Sequence, residues 1–122
     1  MVESVVVITD QSPVGKNSAA EAIRIGSGFV ALGEYVNCQV VFTGDAVYLL
    51  NKNAIPNAVG MDSNDEVLEI ADLSDLELYV IDTDLKNAGM TEDDLIEYES
   101  LKVISVEELS DILDQADLAF RY

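Results

Sequence analysis

Five short apolar runs punctuate the chain, and longer amphipathic stretches separate them. The first, Val5-Val6-Val7-Ile8, is an unbroken β-branched run, the pattern of a strand buried on both faces of a parallel sheet. Pro13 and Gly15 make the next stretch, 10–17, a loop. Ser18 with Glu21 three residues on is a capping box, and Ala19, Ala22, Ile23, Phe29 and Val30 follow at helical spacing. Gly26, Gly28 and Gly33 each cost such a helix about 1 kcal/mol relative to Ala. Their benefit is expected to be close approach of the helix to the sheet or to a neighbouring helix.

Cys38 to Phe42 reads as the second strand. Thr43-Gly44-Asp45 forms a turn, Ala46 to Leu50 one or two helical turns, and 51–60, with Pro56, an irregular loop. Ser63 to Glu66 open a capped helix with Val67, Leu68, Ile70 and Ala71 facing inward. Leu78 to Ile81 is the third strand, and 82–88 a short helix ended by Gly89. Thr91 to Asp94 caps a further turn, and Leu101 to Ile104 is the fourth strand. Ser105 with Glu108 is another capping box, and Val106, Leu109, Ile112 and Leu113 make the apolar stripe of its helix. Leu118 to Arg121 closes the series as the fifth strand.

Parallel strands need crossovers, and the helices supply them. The expected fold class is α/β: a three-layer α/β/α domain over 1–122 with a five-stranded, mainly parallel sheet. No repeat, low-complexity segment or linker interrupts it. Because the chain reaches Tyr122 directly after the fifth strand, one region of the sheet is expected to be left for a partner subunit to cover.

Composition narrows the chemistry. With 49% hydrophobic residues the 122-residue chain can bury one core, which excludes a disordered polymer. It has no histidine, which excludes a Ser-His-Asp triad, a Cys-His pair and any histidine-bearing metal site. A single cysteine excludes an internal disulfide and a thiolate zinc cluster. The formal charge of −18 repels phosphate backbones and anionic bilayers, so neither nucleic acid nor a membrane is an expected partner. The first residues lack a basic leader segment, and nothing approaches the roughly 20 apolar residues of a spanning helix. Together with the lone thiol of Cys38 this predicts a cytoplasmic protein. The charge is uneven: 61–122 hold 19 acids against Lys86, Lys102 and Arg121. Such a surface either stays solvated or steers a basic partner, and charge alone does not choose.

In open α/β sheets ligands bind beyond the carboxyl ends of the strands. Here those ends carry 10–17, Thr43-Gly44-Asp45, Asp82-Thr83-Asp84 and Ser105. Ser12, Gly15, Lys16 and Asn17 precede a helix start and could hold an anion, although the P-loop spacing is missing and an ordinary connection capped by Ser18 is the preferred reading. Asp45 and Asp82 are the carboxylates offered to a ligand. With Asp10 and Asp84 they could converge on Mg²⁺, yet caps and turns account for all four, so neither metal nor cofactor is expected. Cys38, with no adjacent cation, reads as a core residue. Tyr48, Leu49, Leu50 and Ile55 are too much apolar surface for a small helix and a loop to bury alone, and part of that stripe is expected at a subunit contact.

Two segments carry a likeness. Gly44-Asp45-Ala46-Val47-Tyr48-Leu49-Leu50 is similar to a "DGV-aromatic-x-L" motif, and Tyr79-Val80-Ile81-Asp82-Thr83-Asp84-Leu85-Lys86-Asn87-Ala88-Gly89-Met90 to "V-C-x-x-x-L-x-x-x-G". With the ending Ala116-Asp117-Leu118-Ala119-Phe120-Arg121-Tyr122, their order resembles the DsrE/DsrF/DsrH sulfur-relay family, TusC/DsrF-type subunits most closely. The resemblance implies a five-stranded parallel sheet and assembly with itself or with related DsrE/DsrH-like subunits. It also implies, in active members, a cysteine after the third strand that carries persulfide sulfur for tRNA thiolation or sulfur oxidation. Here that position is Ile81, which has no nucleophile. The expectation is therefore a non-catalytic or structural subunit with no catalytic residue of its own. The alternatives are a receiver-like signalling domain phosphorylated on Asp82, a small-ligand or anion binder, or an enzyme using Asp10, Asp45 and Asp82.

Overall fold

The computed structural model describes residues 4–11, 18–30, 37–52, 65–73 and 75–121. The five apolar runs become five strands: β1 (Ser4–Thr9), β2 (Asn37–Phe42), β3 (Glu77–Ile81), β4 (Leu101–Ile104) and β5 (Leu118–Arg121). They form one sheet in the order β4-β3-β2-β1-β5, with every neighbouring pair parallel. The helices are α1 (Ser18–Val30), α2 (Asp65–Leu73), α3 (Asp82–Asn87) and α4 (Val106–Gln115), and a 3₁₀ helix follows β2 at Gly44–Leu50. The expected α/β class holds, and the sheet is wholly parallel.

Strand order sorts the helices between the two faces. Successive steps from β1 to β4 run one way across the sheet, whereas the step from β4 to β5 returns past β1. Right-handed crossovers therefore put α1 to α3 on one face and α4 on the other. Burial follows this division. The larger cluster holds Val5, Val7, Cys38, Val40, Phe42, Leu78 and Val80 beneath Ala22 and Ile23 of α1, Ala71 of α2 and Leu85 of α3. The smaller holds Val6, Val41, Ile81 and Ile104, with Leu109, Ile112 and Leu113 of α4 packed on it. No residue of α4 is itself buried.

Several local expectations are met. Ser105 Oγ accepts from the Glu108 N–H at 3.1 Å and the Glu108 carboxylate from the Ser105 N–H at 3.4 Å, a reciprocal cap. Gly89 takes φ +74 while Met90 N–H reaches back to the Leu85 carbonyl, the Schellman ending of α3. Gly26 does bring α1 close to the sheet, since a Cβ there would lie 2.7 Å from a Val40 methyl. Gly28 faces open space, and Gly33 lies outside the described residues.

Two apolar positions depart from the expected inward faces. Ile70 is 50% exposed, because adjacent helical residues point about 100° apart and the inward line of α2 runs through Leu68 and Ala71. Val106 is 55% exposed: it is the first helical residue of α4, ahead of the turns that pack on the small cluster.

Candidate functional site

The carboxyl ends of β1 and β2 are tied together. The Thr43 N–H donates to the Thr9 carbonyl at 3.0 Å. Gly44 then turns with φ +51, passing so near β1 that a Cβ would sit 3.2 Å from the Asp10 carbonyl oxygen. A left-handed backbone and a close approach coincide there, and glycine meets both requirements. The turn delivers Asp45 and Tyr48 to the top of the sheet, where α3 begins directly from β3.

Between the 3₁₀ helix and α3 lies a cleft of about 240 Å³, lined by Gly44, Asp45, Tyr48, Asp84, Asn87 and Ala88. Of the two carboxylates expected to serve a ligand, Asp45 lines this cleft and Asp82 does not. Asp82 is exposed, and its carboxylate accepts from the Thr83 N–H at 2.7 Å. Residues two apart on a helix point about 200° apart, so Asp84 faces the cleft in its stead, joined by Asn87 and Ala88 three and four residues on. That i, i+3, i+4 spacing was the signal for Asn87, which the strand-end reading alone missed. Asp10 is drawn away to Arg121 at the end of β5, 3.3 Å distant. Among the described residues no group of three or more His, Cys, Asp or Glu could hold a metal ion. The arrangement offers two carboxylates, one amide and one phenol, and no thiol.

Ser12, Gly15, Lys16, Asn17 and Ile55 lie outside the described residues. The apolar run after β2 divides. Leu50 is fully buried and Leu49 5% exposed, both within the larger core cluster, so neither is open to a partner. Tyr48 alone of the described members reaches outward, at 40% exposure. The fully buried Ala46 and Val47 anchor the same turns against the core, which is how so short a helix conceals two leucines.

Ile81 ends β3 on the α4 face, 2% exposed among Val6, Val41 and Ile104. Cys38 lies near the start of β2 on the opposite face. Phe42 pairs with Val80, so Ile81 is level with position 43, five residues past Cys38. At about 3.3 Å per residue that is roughly 16 Å along the strand, with the sheet itself between the two side chains. Burial pushes the Cys38 thiol up from 9.0 to about 12, the opposite of what a nucleophilic thiol needs. Its Sγ donates to the Gln39 carbonyl at 3.9 Å. Among the described residues no helix is long and apolar enough to cross a membrane.

Known proteins agree with this architecture. Among solved structures, the chain is similar to the ychN protein of E. coli, with a TM-score of 0.81 and 16% identity over 98% of this chain and 99% of that one. It is also similar to MTH1491 of Methanobacterium thermoautotrophicum, a protein described as of unknown function, with a TM-score of 0.71 and 17% identity over all of both chains. At such identities the likeness is one of fold. No curated protein matches the sequence. The model of the DsrE/DsrF-like family matches residues 3–121, and the chain belongs to that family.

Proposed function

We propose that this protein is a DsrE/DsrF-like subunit that carries no persulfide itself and serves a sulfur-relay assembly, for tRNA thiolation or sulfur oxidation, by its shape and its contacts. Carrying a persulfide requires a thiolate that attacks the donor's outer sulfur and keeps it as an S–S bond. One observation supports the passive role above the rest. The place that the family's motif gives to a cysteine is filled by the buried Ile81, while Cys38, the chain's sole cysteine, is buried on the other face of the sheet. The partners would be further copies of this chain or related cysteine-bearing subunits, with the exposed Tyr48 ring beside the cleft as a contact. A cytoplasmic setting suits the single reduced thiol. The receiver-like alternative has less support, since β2 lies between β3, which leads into Asp82, and β1, which leads into Asp10, and Asp10 pairs with Arg121.

The test is incubation with a sulfane-sulfur donor, followed by intact-mass measurement and cyanolysis, alone and with a cysteine-bearing paralogue. The expected result is no added sulfur on this chain, and a native mass showing it assembled with itself or with the paralogue. A persulfide on Cys38 that is passed to an acceptor would overturn the non-catalytic role. A monomer under all of these conditions would overturn the assembly role.

A further inference from the structure

We propose that the outer face of α2 is a docking surface for a basic, amphipathic segment of a partner protein. Leu73 is 80% exposed and Ile70 50%, and their i, i+3 spacing places them side by side. Glu69 and Asp72 flank the pair on one side of the helix and Asp75 follows its end, and all three are exposed. From residue 53 to residue 85 the sequence holds nine acids and no lysine or arginine.

The position of these acids is unfavourable for the isolated fold. Asp72 and Asp75 stand at the carboxyl end of α2, where the helix dipole is already negative, and the last turn has no basic residue. Asp75 also occupies the left-handed position of the helix ending, φ +57, a place that glycine fills without strain. Its N–H bonds the Asp72 carbonyl and the Leu76 N–H the Ala71 carbonyl, completing a Schellman motif. The negative field is felt nearby. The Tyr98 hydroxyl, which donates to the Leu76 carbonyl at 2.6 Å, is held well above the usual phenol range, first by burial and then by Asp72 and Asp75.

Cationic side chains flanking an apolar stripe would answer the charge and the apolar exposure together: they would neutralise the carboxylates and cover Leu73 and Ile70. A second copy of this chain would bring another −18 of charge to the contact, and a nucleic acid or an anionic bilayer would be repelled. This surface is independent of the sulfur-relay reading, because no residue of the cleft or of the Ile81 cluster belongs to it.

The probe is a pair of synthetic helical peptides with the same leucine stripe, one carrying lysine and the other glutamate at the flanking positions, titrated calorimetrically. The lysine peptide is expected to bind and the glutamate peptide to show no heat. Replacing Glu69→Gln, Asp72→Asn and Asp75→Asn together should weaken binding about tenfold, whereas Glu107→Gln, Glu108→Gln and Asp111→Asn on α4, an equal change of charge, should leave it within about twofold. Leu73→Ser should weaken it about fivefold with an unchanged circular dichroism spectrum, since that side chain supports no core. Equal losses for the two triple variants would mean diffuse attraction and overturn the proposal. So would a Leu73→Ser protein that binds like the wild type, or a peptide-free oligomer that Leu73→Ser dissociates, which would identify a second copy as the occupant.

Discussion

Tyr79 donates its hydroxyl to the Glu77 carboxylate at 2.6 Å, two residues back on the same face of β3 that carries Ile81. Burial, then the bond to Glu77 and its negative charge, holds the phenol well above its usual range. Tyr79→Phe should cost about 1 kcal/mol in urea unfolding. A double-mutant cycle with Glu77→Gln should return a coupling of about 0.5–1.5 kcal/mol. Additive single variants would show that the bond contributes nothing.

Alkali should destabilise the fold through Cys38. Unfolded, the thiol ionises near 9.0, and folded near 12, so its contribution is complete below about pH 9 and is lost as pH rises toward 12. Within that window the wild type should lose about 1.4 kcal/mol per pH unit relative to Cys38→Ala. Urea midpoints of the two proteins, followed from neutral to alkaline pH, measure this directly. The difference cancels the similar alkaline contributions of Tyr79 and Tyr98, both raised in the folded state.

Two glycines of one helix should respond with opposite signs. Gly26→Ala places a methyl 2.7 Å from Val40 Cγ2 and 3.1 Å from Leu76 Cδ2, and both neighbours are fully buried. Overpacking of about 1–3 kcal/mol should outweigh the gain in helix propensity. Gly28→Ala meets nothing within 4 Å and should stabilise by about 0.5–1 kcal/mol. Thermal unfolding of the two variants gives the comparison.

Asp75→Gly should raise stability by about 0.5–1.5 kcal/mol, since it relieves a left-handed non-glycine residue and removes a carboxylate from a helix carboxyl end. If α2 docks a basic partner, the same substitution should weaken that binding, so stability and affinity would move in opposite directions. Melting temperature and peptide titration on the one variant read both.

Much of the fold was legible because its signals are local. A run such as Val5-Val6-Val7-Ile8 specifies a doubly buried strand by its own pattern, and Ser105 with Glu108, or Gly89, specifies a helix boundary through hydrogen bonds that close within a few residues. The site was legible only in outline. Strand ends could be found from the sequence, and Asp45 reached the cleft, but the choice of Asp84 over Asp82 depends on where α3 begins its rotation. The burial of Leu49 and Leu50 depends on whether the 3₁₀ helix lies against the core, which no periodicity within seven residues reports.

The sequence by itself determined that this is a five-stranded α/β protein, strongly acidic, without histidine and with one thiol. Each of those properties is a composition or a short-range pattern. Tertiary structure decided which face of the sheet each residue occupies. Strand order and crossover handedness put Cys38 beneath α1 to α3, Ile81 beneath α4, and Leu73 in solvent. Neighbours along a strand point to opposite faces, so a side chain's chemical surroundings come from segments distant in sequence and are fixed only when the layers pack.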